Sequence, residues 1–456
     1  MMDLAGAAAA VHGRVSGANA RFTRVVTDSR AVEPGDLFVA LHGERFDGND
    51  FVAGAFARGA AAAMVSEGRG GHAGPVVAVP DTLAALGELA AAWRARFDPP
   101  LVVVVGSNGK TTVKEMAAAI LRARHGAGGV LATRGNLNNA IGLPLTLLGL
   151  RAHHRAAVVE LGMNHRGETR ALAAIARPTI VVVNNAQREH QEFMASVGDV
   201  AVEHADAIAA LAPGGVAVLN ADDESLPVWR RAAERAGARV RTFGCSTGAD
   251  VHGVATVRAD GSAVAIRAPE GAIDADLAAP GMAMARNALA AAAAALAAGA
   301  TPDDVRRGLA AFRPVGGRLA ATDAPSGARV IDDTYNANPD SVRAAIDVLA
   351  RAGGVRRLVL GDMGEVGAQG PAFHREVGAY ARERGIDRLD AAGELARHAV
   401  EAFGAGATHH PGVEALAAAI AGSVGAGTTV LVKGSRFMRM ERVVAALLAA
   451  GGGGGR

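Results

Sequence analysis

Short runs of apolar and β-branched residues alternate with longer helix-like stretches over most of the chain. Between residues 99 and 315 the strand-like runs are LVVVVG, AAVVELG, TIVVVNN and GGVAVLN. Runs that are apolar on both faces suit a parallel sheet that is covered by helices. The pattern therefore predicts a central α/β domain with a parallel sheet at 99–315.

One stretch of this central region breaks the pattern. The run VHGVATVRADGSAVAIRAP, which starts at Val251, alternates around the turn-forming residues ADGS. This arrangement is typical of two short strands joined by a tight turn. We therefore expect an antiparallel hairpin here, attached to the parallel sheet.

The flanking regions repeat the α/β alternation on a smaller scale. Residues 1–98 contain DLFVAL, AAAMVS and PVVAVP, then the helix-like TLAALGELAAAWRARF and a linker at DPP. The strand-like runs after residue 316 lie in RVIDDTYNANP, RRLVLGDMG, RLDAAG and TTVLVKGS. We therefore predict an α/β protein of three domains: a small α/β domain at 1–98, the central domain at 99–315 and a Rossmann-like domain at 316–450. The tail GGGGGR at 451–456 has no side chains to pack and is predicted to be disordered.

Composition excludes several classes of protein. The chain has 456 residues, of which 50% are hydrophobic, and a net charge of +2, so no general affinity for nucleic acid or membranes is expected. Its single cysteine, Cys245, excludes a disulfide within the chain and suits a reducing cytosol. No signal peptide and no apolar run of about 18 residues is apparent. We expect a cytoplasmic protein without membrane insertion.

A predicted phosphate-binding loop follows the first central strand. It consists of Gly106, Ser107, Asn108, Gly109, Lys110, Thr111 and Thr112, ahead of the helix-like VKEMAAAILRA. Glycines let backbone N–H groups turn onto a phosphate, the helix N-terminus adds partial positive charge, and a threonine hydroxyl can ligate Mg²⁺. The full pattern G-x-x-x-x-G-K-[ST] fails, because its first glycine would fall on Val104, but the shorter G-x-x-G-K-T-T fits.

Lysine is scarce, which makes this loop stand out. The only lysines are Lys110, Lys114 and Lys433, and all other basic side chains are arginines apart from histidines. We expect the Lys110 ammonium to reach the β- and γ-phosphates of a nucleotide. Lys114, one helical turn later, is expected on the solvated surface.

Seven stretches together resemble the Mur ligases. They are GSNGKTTVKEM, GNLNNAIGLPLTLL, ELGMNHRGE, GRLAATDAPSGARVIDDTYNANPDS, GDMGEVG, HREVG and VLVKGSRFMRMERVV, and TDSRAVEPGDLFVALHGERFDGNDF resembles the UDP-sugar-binding domain of that family. The resemblance implies that ATP, with Mg²⁺, phosphorylates the terminal carboxylate of a UDP-MurNAc-tripeptide. The amine of D-Ala-D-Ala then attacks the acyl phosphate. It implies a cytoplasmic ligase, expected to be a monomer, that makes peptidoglycan precursors.

The resemblance also assigns metal and catalytic roles. Glu160 ends a strand-like run, at the edge where open α/β sheets bind ligands, and its carboxylate suits Mg²⁺. The resemblance implies Thr111, Glu160 and His190 as metal ligands, and Lys110, Glu160, His190 and Arg318 as catalytic residues. Imidazole ligation of Mg²⁺ is chemically unusual, so a water-mediated or substrate-facing role for His190 stays open.

Further residues are implied as contacts to the nucleotide and the substrates. Asn287, Arg318 and Asp333 join the phosphate loop in ATP binding, with Asp333 accepting from ribose hydroxyls. Asn138 and Asn139 contact substrate or form a turn. The other implied substrate contacts are Ser29 for the UDP group, Tyr335 and Asn338 near the ATP site, and Lys433, Ser435 and Arg436 for the dipeptide.

The chain departs from the family in two places. Many Mur ligases carry a carbamylated lysine in the central domain, but His204 falls at that position and no lysine occurs between Lys114 and Lys433. We hypothesise that Glu203, His204 or Asp206 supplies part of the missing function, or that the second metal site is weaker. In addition, Ala283 and Met284 replace a His-Asn pair, which leaves Asn287 for the adenine pocket.

Three alternatives stay open at this stage. The sister ligase that adds the third amino acid typically has an Asp-Asn-Pro-Arg motif, which is absent here. Folylpolyglutamate synthase shares the phosphate loop but lacks the UDP-binding domain. A nucleotide-gated switch would hydrolyse ATP without any added peptide. The sequence does not determine the third residue of the tripeptide.

Overall fold

The structure is a computed structural model that describes residues 1–258 and 260–449. The predicted disordered tail at 451–456 lies outside the described residues. Within these limits the chain forms three main sheets flanked by helices, which confirms the α/β fold class. The sheets lie inside the predicted ranges 1–98, 99–315 and 316–450, while the domain boundaries themselves stay predictions.

The first sheet is small and mostly parallel. Strands β1 to β7 span Met2–Asp3, Arg14–Ser16, Arg21–Phe22, Arg24–Val26, Asp36–Val39, Ala62–Ser66 and Val76–Val79, and helices α1 to α3 span Leu4–Ala10, Val52–Ala57 and Thr82–Arg94. The strand order is β2-β7-β6-β5-β4, with β4 to β7 parallel and β2 antiparallel to β7. Strands β1 and β3 form a separate antiparallel pair.

The central sheet has nine strands and carries the predicted hairpin. Strands β8 to β16 span Leu101–Val105, Val130–Ala132, Ala156–Glu160, Ile180–Val183, Val216–Asn220, Arg239–Gly244, Val251–Val257, Ser262–Ala268 and Gly271–Leu277. Helices α4 to α10 span Lys110–His125, Gly142–Leu147, Glu168–Ala176, Val197–Ile208, Leu226–Arg235, Met282–Ala297 and Pro302–Ala311. The order is β16-β15-β14-β13-β12-β11-β8-β10-β9, parallel from β14 to β9, and the antiparallel pairing of β14 with β15 confirms the hairpin.

Strand β8 shows why the central runs are apolar at every position. Val102 and Val104 belong to one hydrophobic cluster with helices α4 and α9, whereas Leu101, Val103 and Val105 belong to a second cluster with helices α3, α6 and α7. All five side chains are buried. Burial of each contributes roughly 1.5–3 kcal/mol relative to exposure. The strand that leads into the phosphate loop is therefore fixed from both sides.

The third sheet is a six-stranded Rossmann-like unit. Strands β17 to β22 span Ala320–Asp323, Arg329–Asp333, Val355–Gly361, Arg388–Ala392, Ala407–His410 and Thr428–Lys433, and helices α11 to α15 span Pro339–Leu349, Gly370–Glu383, Arg397–Phe403, Val413–Ala421 and Glu441–Ala449. The order is β17-β18-β22-β19-β20-β21, with only edge strand β17 antiparallel. Across residues 1–258 and 260–449, no helix is both long and apolar enough to cross a bilayer.

Candidate active site

The loop between β8 and α4 has the backbone of a phosphate site. Gly106 and Gly109 have φ of +140° and +82°, and α4 begins at Lys110 immediately after the second glycine. A Cβ at Gly106 would lie 2.9 Å from the Cβ of Asn184, so the loop needs glycine for space as well as for conformation. The N-terminus of a 16-residue helix therefore points at the space above the loop.

The segment after β11 holds this loop in place. The Ser107 N–H donates to the Asn185 carbonyl at 3.0 Å, and the Asn108 N–H donates to Asn185 Oδ1 at 2.8 Å. In return, the Gln187 N–H donates to Ser107 Oγ at 2.9 Å. Lys110 Nζ donates to the carbonyls of Gly106 at 2.6 Å and Ser107 at 3.2 Å. The ammonium group thus lies folded over its own loop.

A cavity of about 680 Å³ opens above the loop, between the central and C-terminal sheets. It brings together most of the residues proposed from the sequence: Ser107, Asn108, Gly109, Lys110, Thr111, Thr112, Asn138, Asn139, Glu160, His190, Asn287, Arg318, Asp333, Tyr335, Asn338 and Lys433. Gly106, Ser29, Ser435 and Arg436 are not among the residues that line it. Ala283 and Met284 do line it, beside Asn287.

Glu160 presents a free carboxylate oxygen to this cavity. It ends β10 and is 1% exposed, and its Oε1 accepts a hydrogen bond from Asn138 Nδ2 at 2.9 Å. Its Oε2 has no hydrogen-bond partner. A buried carboxylate with one unused oxygen, in a cavity that Thr111 also lines, fits a hard divalent cation. Asn139 instead caps the next turn, since its Oδ1 accepts from the N–H groups of Ile141 and Gly142.

His190 lies in a cluster of carboxylates. Its backbone is left-handed, with φ of +50°, which is uncommon for a residue with a side chain. Its Nδ1 is 2.6 Å from Glu365 Oε2 of the C-terminal domain, and its Nε2 is 3.7 Å from Glu189 Oε2. Contact with His190 lowers the pKa of Glu365 against the opposing effect of burial. No group of three or more His, Cys, Asp or Glu within the described ranges is arranged to hold a metal, so metal ligation by His190 stays a prediction.

Glu189 was not predicted, yet it lies against the phosphate-loop lysine. It is 6% exposed, and its Oε2 is 3.5 Å from Lys110 Nζ. Burial by itself raises the pKa of Glu189, but the charges of Lys110, His204 and His190 outweigh burial and lower it to about 2. The carboxylate is therefore charged at neutral pH. A charged residue in the segment that follows a buried strand, next to His190, was the signal that could have identified it.

The C-terminal sheet contributes a second group of charges. Arg318 Cζ lies 4.0 Å from the centre of the Tyr335 ring, a cation–π contact that holds the guanidinium at the cavity wall. Lys433 is 3% exposed, and its Nζ donates to Asp333 Oδ2 at 2.5 Å. Burial raises the pKa of Asp333, and the Lys433 ammonium opposes this shift. Lys433 is therefore a buried partner of Asp333 in this structure.

Besides the contact of His190 with Glu365, two further sets of contacts join the phosphate loop region to the C-terminal domain. The side-chain amides of Asn108 and Asn338 exchange hydrogen bonds of 3.0 and 3.3 Å, while Asn338 also caps α11. Arg188 forms hydrogen bonds to both Asp340 and Glu376, at 2.6 and 2.7 Å for its shortest contacts. These contacts fix the two walls of the cavity relative to each other.

Three predicted substrate residues lie elsewhere. Ser435 is buried, and its hydroxyl donates to the Ala337 carbonyl at 3.1 Å and accepts from the Gly364 N–H at 2.7 Å. Arg436 is exposed and lies 3.4 Å from Glu441. Ser29 begins a short turn in the first domain that is capped by the preceding aspartate. The structure does not bring these three residues to the cavity lining, and their substrate contacts stay predictions.

The expectation that Lys114 is solvated is wrong. Its side chain is fully buried, and its Nζ donates to the Thr133 carbonyl at 2.8 Å and to Glu115 at 2.5 Å. The face of α4 that carries Lys114 packs against the polypeptide that follows β9, so the ammonium satisfies a buried carbonyl. The lysine at position 114 therefore has a structural role in the packing of α4.

The three residues considered as substitutes for the family's lysine differ in position. Glu203 accepts from the N–H groups of Gly167 and Thr169 and so caps α6. Asp206 pairs with Arg170 at 2.9 Å near the surface. Of the three, His204 contacts a residue of the cavity lining, since it is 1% exposed and its Nε2 is 3.4 Å from Glu189 Oε1. Neither ring nitrogen has an aligned hydrogen-bond partner.

A phosphate loop that faces a second α/β domain across one shared cavity is the arrangement of an ATP-dependent ligase. The sequence matches known families along most of its length: residues 21–94 match the catalytic domain of the Mur ligase family, 104–295 the Mur ligase middle domain, and 317–436 the glutamate ligase domain of Mur ligases. The chain belongs to the Mur ligase family.

Individual relatives match the sequence of this chain over nearly its full length. The chain is 39% identical to UDP-N-acetylmuramoyl-tripeptide–D-alanyl-D-alanine ligase of Escherichia coli over 449 residues, which is 96% of either chain. It is 34% identical to the Bacillus subtilis protein of the same name, over 93% of this chain and 92% of that one. A crystal structure of MurF from Acinetobacter baumannii superposes with a TM-score of 0.91 at 32% identity, covering 98% of this chain and 99% of the other.

Proposed function

We propose that this protein is an ATP-dependent ligase that joins D-Ala-D-Ala to UDP-MurNAc-tripeptide, in the synthesis of peptidoglycan precursors for the cell wall. The observation that carries the proposal is the shared cavity. Lys110 and Glu160 reach it from the central sheet, and Arg318 reaches it from the C-terminal side. The names of the full-length relatives support the choice of substrates.

The chemistry requires the activation of a poor electrophile. The terminal carboxylate of the tripeptide attacks the γ-phosphorus of ATP, the bond to the β-phosphate oxygen breaks, and ADP leaves. The amine of D-Ala-D-Ala then attacks the acyl carbon, a proton is lost, and inorganic phosphate leaves as the amide forms. The protein contributes mainly position and charge.

The residues on the cavity wall suit these needs. Lys110 balances negative charge on the β- and γ-phosphates, together with the N-terminus of α4. The Arg318 guanidinium is held at the cavity wall by Tyr335 and is proposed to stabilise charge on the transferring phosphoryl group. Asn287 and Asp333 are proposed to contact the nucleoside, and Asn138, Asn139, Tyr335 and Asn338 to border the substrates. The contacts of Ser29, Lys433, Ser435 and Arg436 with substrate remain predictions.

Mg²⁺ is the proposed cofactor. Thr111 and Glu160 would hold it, since their oxygen atoms suit this ion and Glu160 has one oxygen without a partner. When bound, the ion supplies positive charge beside the phosphates. His190 remains a proposed neighbour of this site. Cytoplasmic location and a monomeric state stay predictions.

The test is phosphate release from ATP, measured with purified protein and UDP-MurNAc-tripeptide, with and without D-Ala-D-Ala, together with mass detection of the pentapeptide product. We expect stoichiometric phosphate and amide, both dependent on the dipeptide. Lys110→Met should lower the rate by roughly 100-fold or more, since it removes one preorganised positive charge. Circular dichroism verifies that this variant is folded. Rapid ATP hydrolysis without peptide, or undiminished ligation by the variant, would contradict the proposal.

A further inference from the structure

A buried carboxylate in the lining of the cavity, beside the phosphate loop, has no part in the chemistry proposed above. Glu189 is placed by the segment that follows β11 and has almost no solvent contact. Its Oε2 is 3.5 Å from Lys110 Nζ and its Oε1 is 3.4 Å from His204 Nε2. The side chain therefore bridges the phosphate-loop lysine and a buried histidine of α7.

This arrangement is costly and incompletely satisfied. A buried carboxylate loses hydration that only well-placed partners can restore. Glu189 Oε1 and both ring nitrogens of His204 lack an aligned hydrogen-bond partner. Lys110, in contrast, already has two backbone carbonyl acceptors. Loop stability alone therefore gives no reason for a glutamate at position 189.

The charge of Glu189 matters for the ligand that the loop binds. The phosphates of a nucleotide and the Glu189 carboxylate are both negative, and both would use the same ammonium as counter-charge. In this structure the Lys110 ammonium is folded back toward Glu189 and the loop carbonyls. A phosphate that binds the loop must draw the ammonium away from this position.

We propose that Glu189 is a positioning residue that holds the Lys110 ammonium while the phosphate site is empty and releases it to the entering nucleotide. His204 limits the strength of this hold, because it shares the Glu189 carboxylate with Lys110. The inference rests on the proposed function, since it assumes that Lys110 binds the phosphates of a nucleotide. Glu189 thus competes with the phosphates of the nucleotide for the Lys110 ammonium, and this competition lowers the affinity for the nucleotide.

The two partners of this pair have opposite expected effects. Glu189→Gln removes the competing charge but keeps the shape of the side chain, so ADP should bind roughly tenfold more tightly. His204→Leu removes the partner that shares the Glu189 carboxylate with Lys110, so the hold on Lys110 should strengthen and ADP should bind several-fold more weakly. Glu189→Asp keeps the charge and should stay within about threefold of the unmodified protein.

The experiment is calorimetric titration of ADP into the full-length protein and the three variants in buffer with EDTA, which removes any contribution of a divalent cation. Opposite shifts for Glu189→Gln and His204→Leu support the hold on Lys110. Weaker binding by both variants would mean that the pair only supports the local structure, and would overturn the inference. Unchanged affinity for Glu189→Gln would overturn it as well. If the unmodified protein itself bound no ADP even with Mg²⁺ restored, the proposed function would fail instead.

Discussion

The glycine before Lys110 permits a quantitative test of how the phosphate loop is built. Gly109 precedes the first residue of α4 with φ of +82° and ψ of −1°. Gly167 precedes the first residue of α6 with φ of +87° and ψ of −10°. Alanine in this left-handed conformation costs roughly 1–2 kcal/mol at either position. The two glycines are therefore matched in backbone strain and in their place at a helix start.

Their surroundings differ. A Cβ at Gly167 would meet nothing within 4 Å, whereas a Cβ at Gly109 would lie 2.4 Å from Asn287 Oδ1 and 2.8 Å from Asn184 Nδ2. Those two amides are fixed by a mutual hydrogen bond of 3.0 Å, and Asn184 also donates to the Asn108 carbonyl at 2.7 Å. Displacing them leaves at least one buried group unpaired, at roughly 1–3 kcal/mol.

We therefore expect Gly109→Ala to lower the free energy of unfolding by roughly 2–5 kcal/mol and Gly167→Ala by roughly 1–2 kcal/mol. The KM for ATP should rise in the first variant and stay unchanged in the second, because only the first displaces the loop that faces the phosphates. Urea unfolding and steady-state kinetics measure both quantities. Equal losses of stability in the two variants would refute the contact argument and leave backbone strain as the whole effect.

Three other predictions concern titratable side chains that are buried or half-buried. Burial lowers the pKa of His374 below its ordinary value of about 6.5, so on acidification the unfolded chain takes up a proton before the folded one does. The free energy of unfolding should therefore keep its full contribution from His374 above pH 6.5 and decrease as the pH falls below 6.5. His374→Gln should flatten this pH dependence, and an unchanged slope would contradict the assignment. Lys433→Met should lower the free energy of unfolding by roughly 3–5 kcal/mol, because it leaves Asp333 buried without its partner. Adding Asp333→Leu to this variant should restore at least half of the lost free energy in urea unfolding. Strictly additive losses in the two single variants and the double variant would argue against the pair. Arg188→Ala should cost roughly 1–3 kcal/mol, because this half-buried arginine bridges two carboxylates. Arg188→Lys should be intermediate in thermal unfolding, because only arginine reaches Asp340 with two donors. No loss in Arg188→Ala would show that this contact is weak.

The parallel sheets were predictable because their strands are covered on both faces. Runs such as that of β8 are short, apolar at every position and rich in β-branched valine, a combination typical of a strand that is covered on both faces. Strands β13 and β21 escaped prediction, because β13 carries Arg239 and Arg241 in an alternating pattern and β21 ends in two histidines. Such edge or half-exposed strands are specified by their neighbours in the sheet more than by their own composition.

The candidate site was predictable where local chemistry is distinctive. The glycines around Lys110 and the carboxylate at the end of β10 carry their signal in a few adjacent residues. Glu189 and Lys114 were missed or misplaced because their roles depend on groups far away in the sequence: His204 in one case and the Thr133 carbonyl in the other. Burial of a charged side chain depends on tertiary packing, which spacing alone does not reveal.

The distribution of lysines has a practical consequence. Lys114 and Lys433 are buried, whereas the Lys110 side chain keeps 17% of its surface exposed. An acylating reagent that targets lysine amines should therefore modify Lys110 in preference to the other two, and a bound nucleotide should shield it. Peptide mapping by mass spectrometry would then read occupancy of the loop directly, without a labelled ligand or an engineered probe.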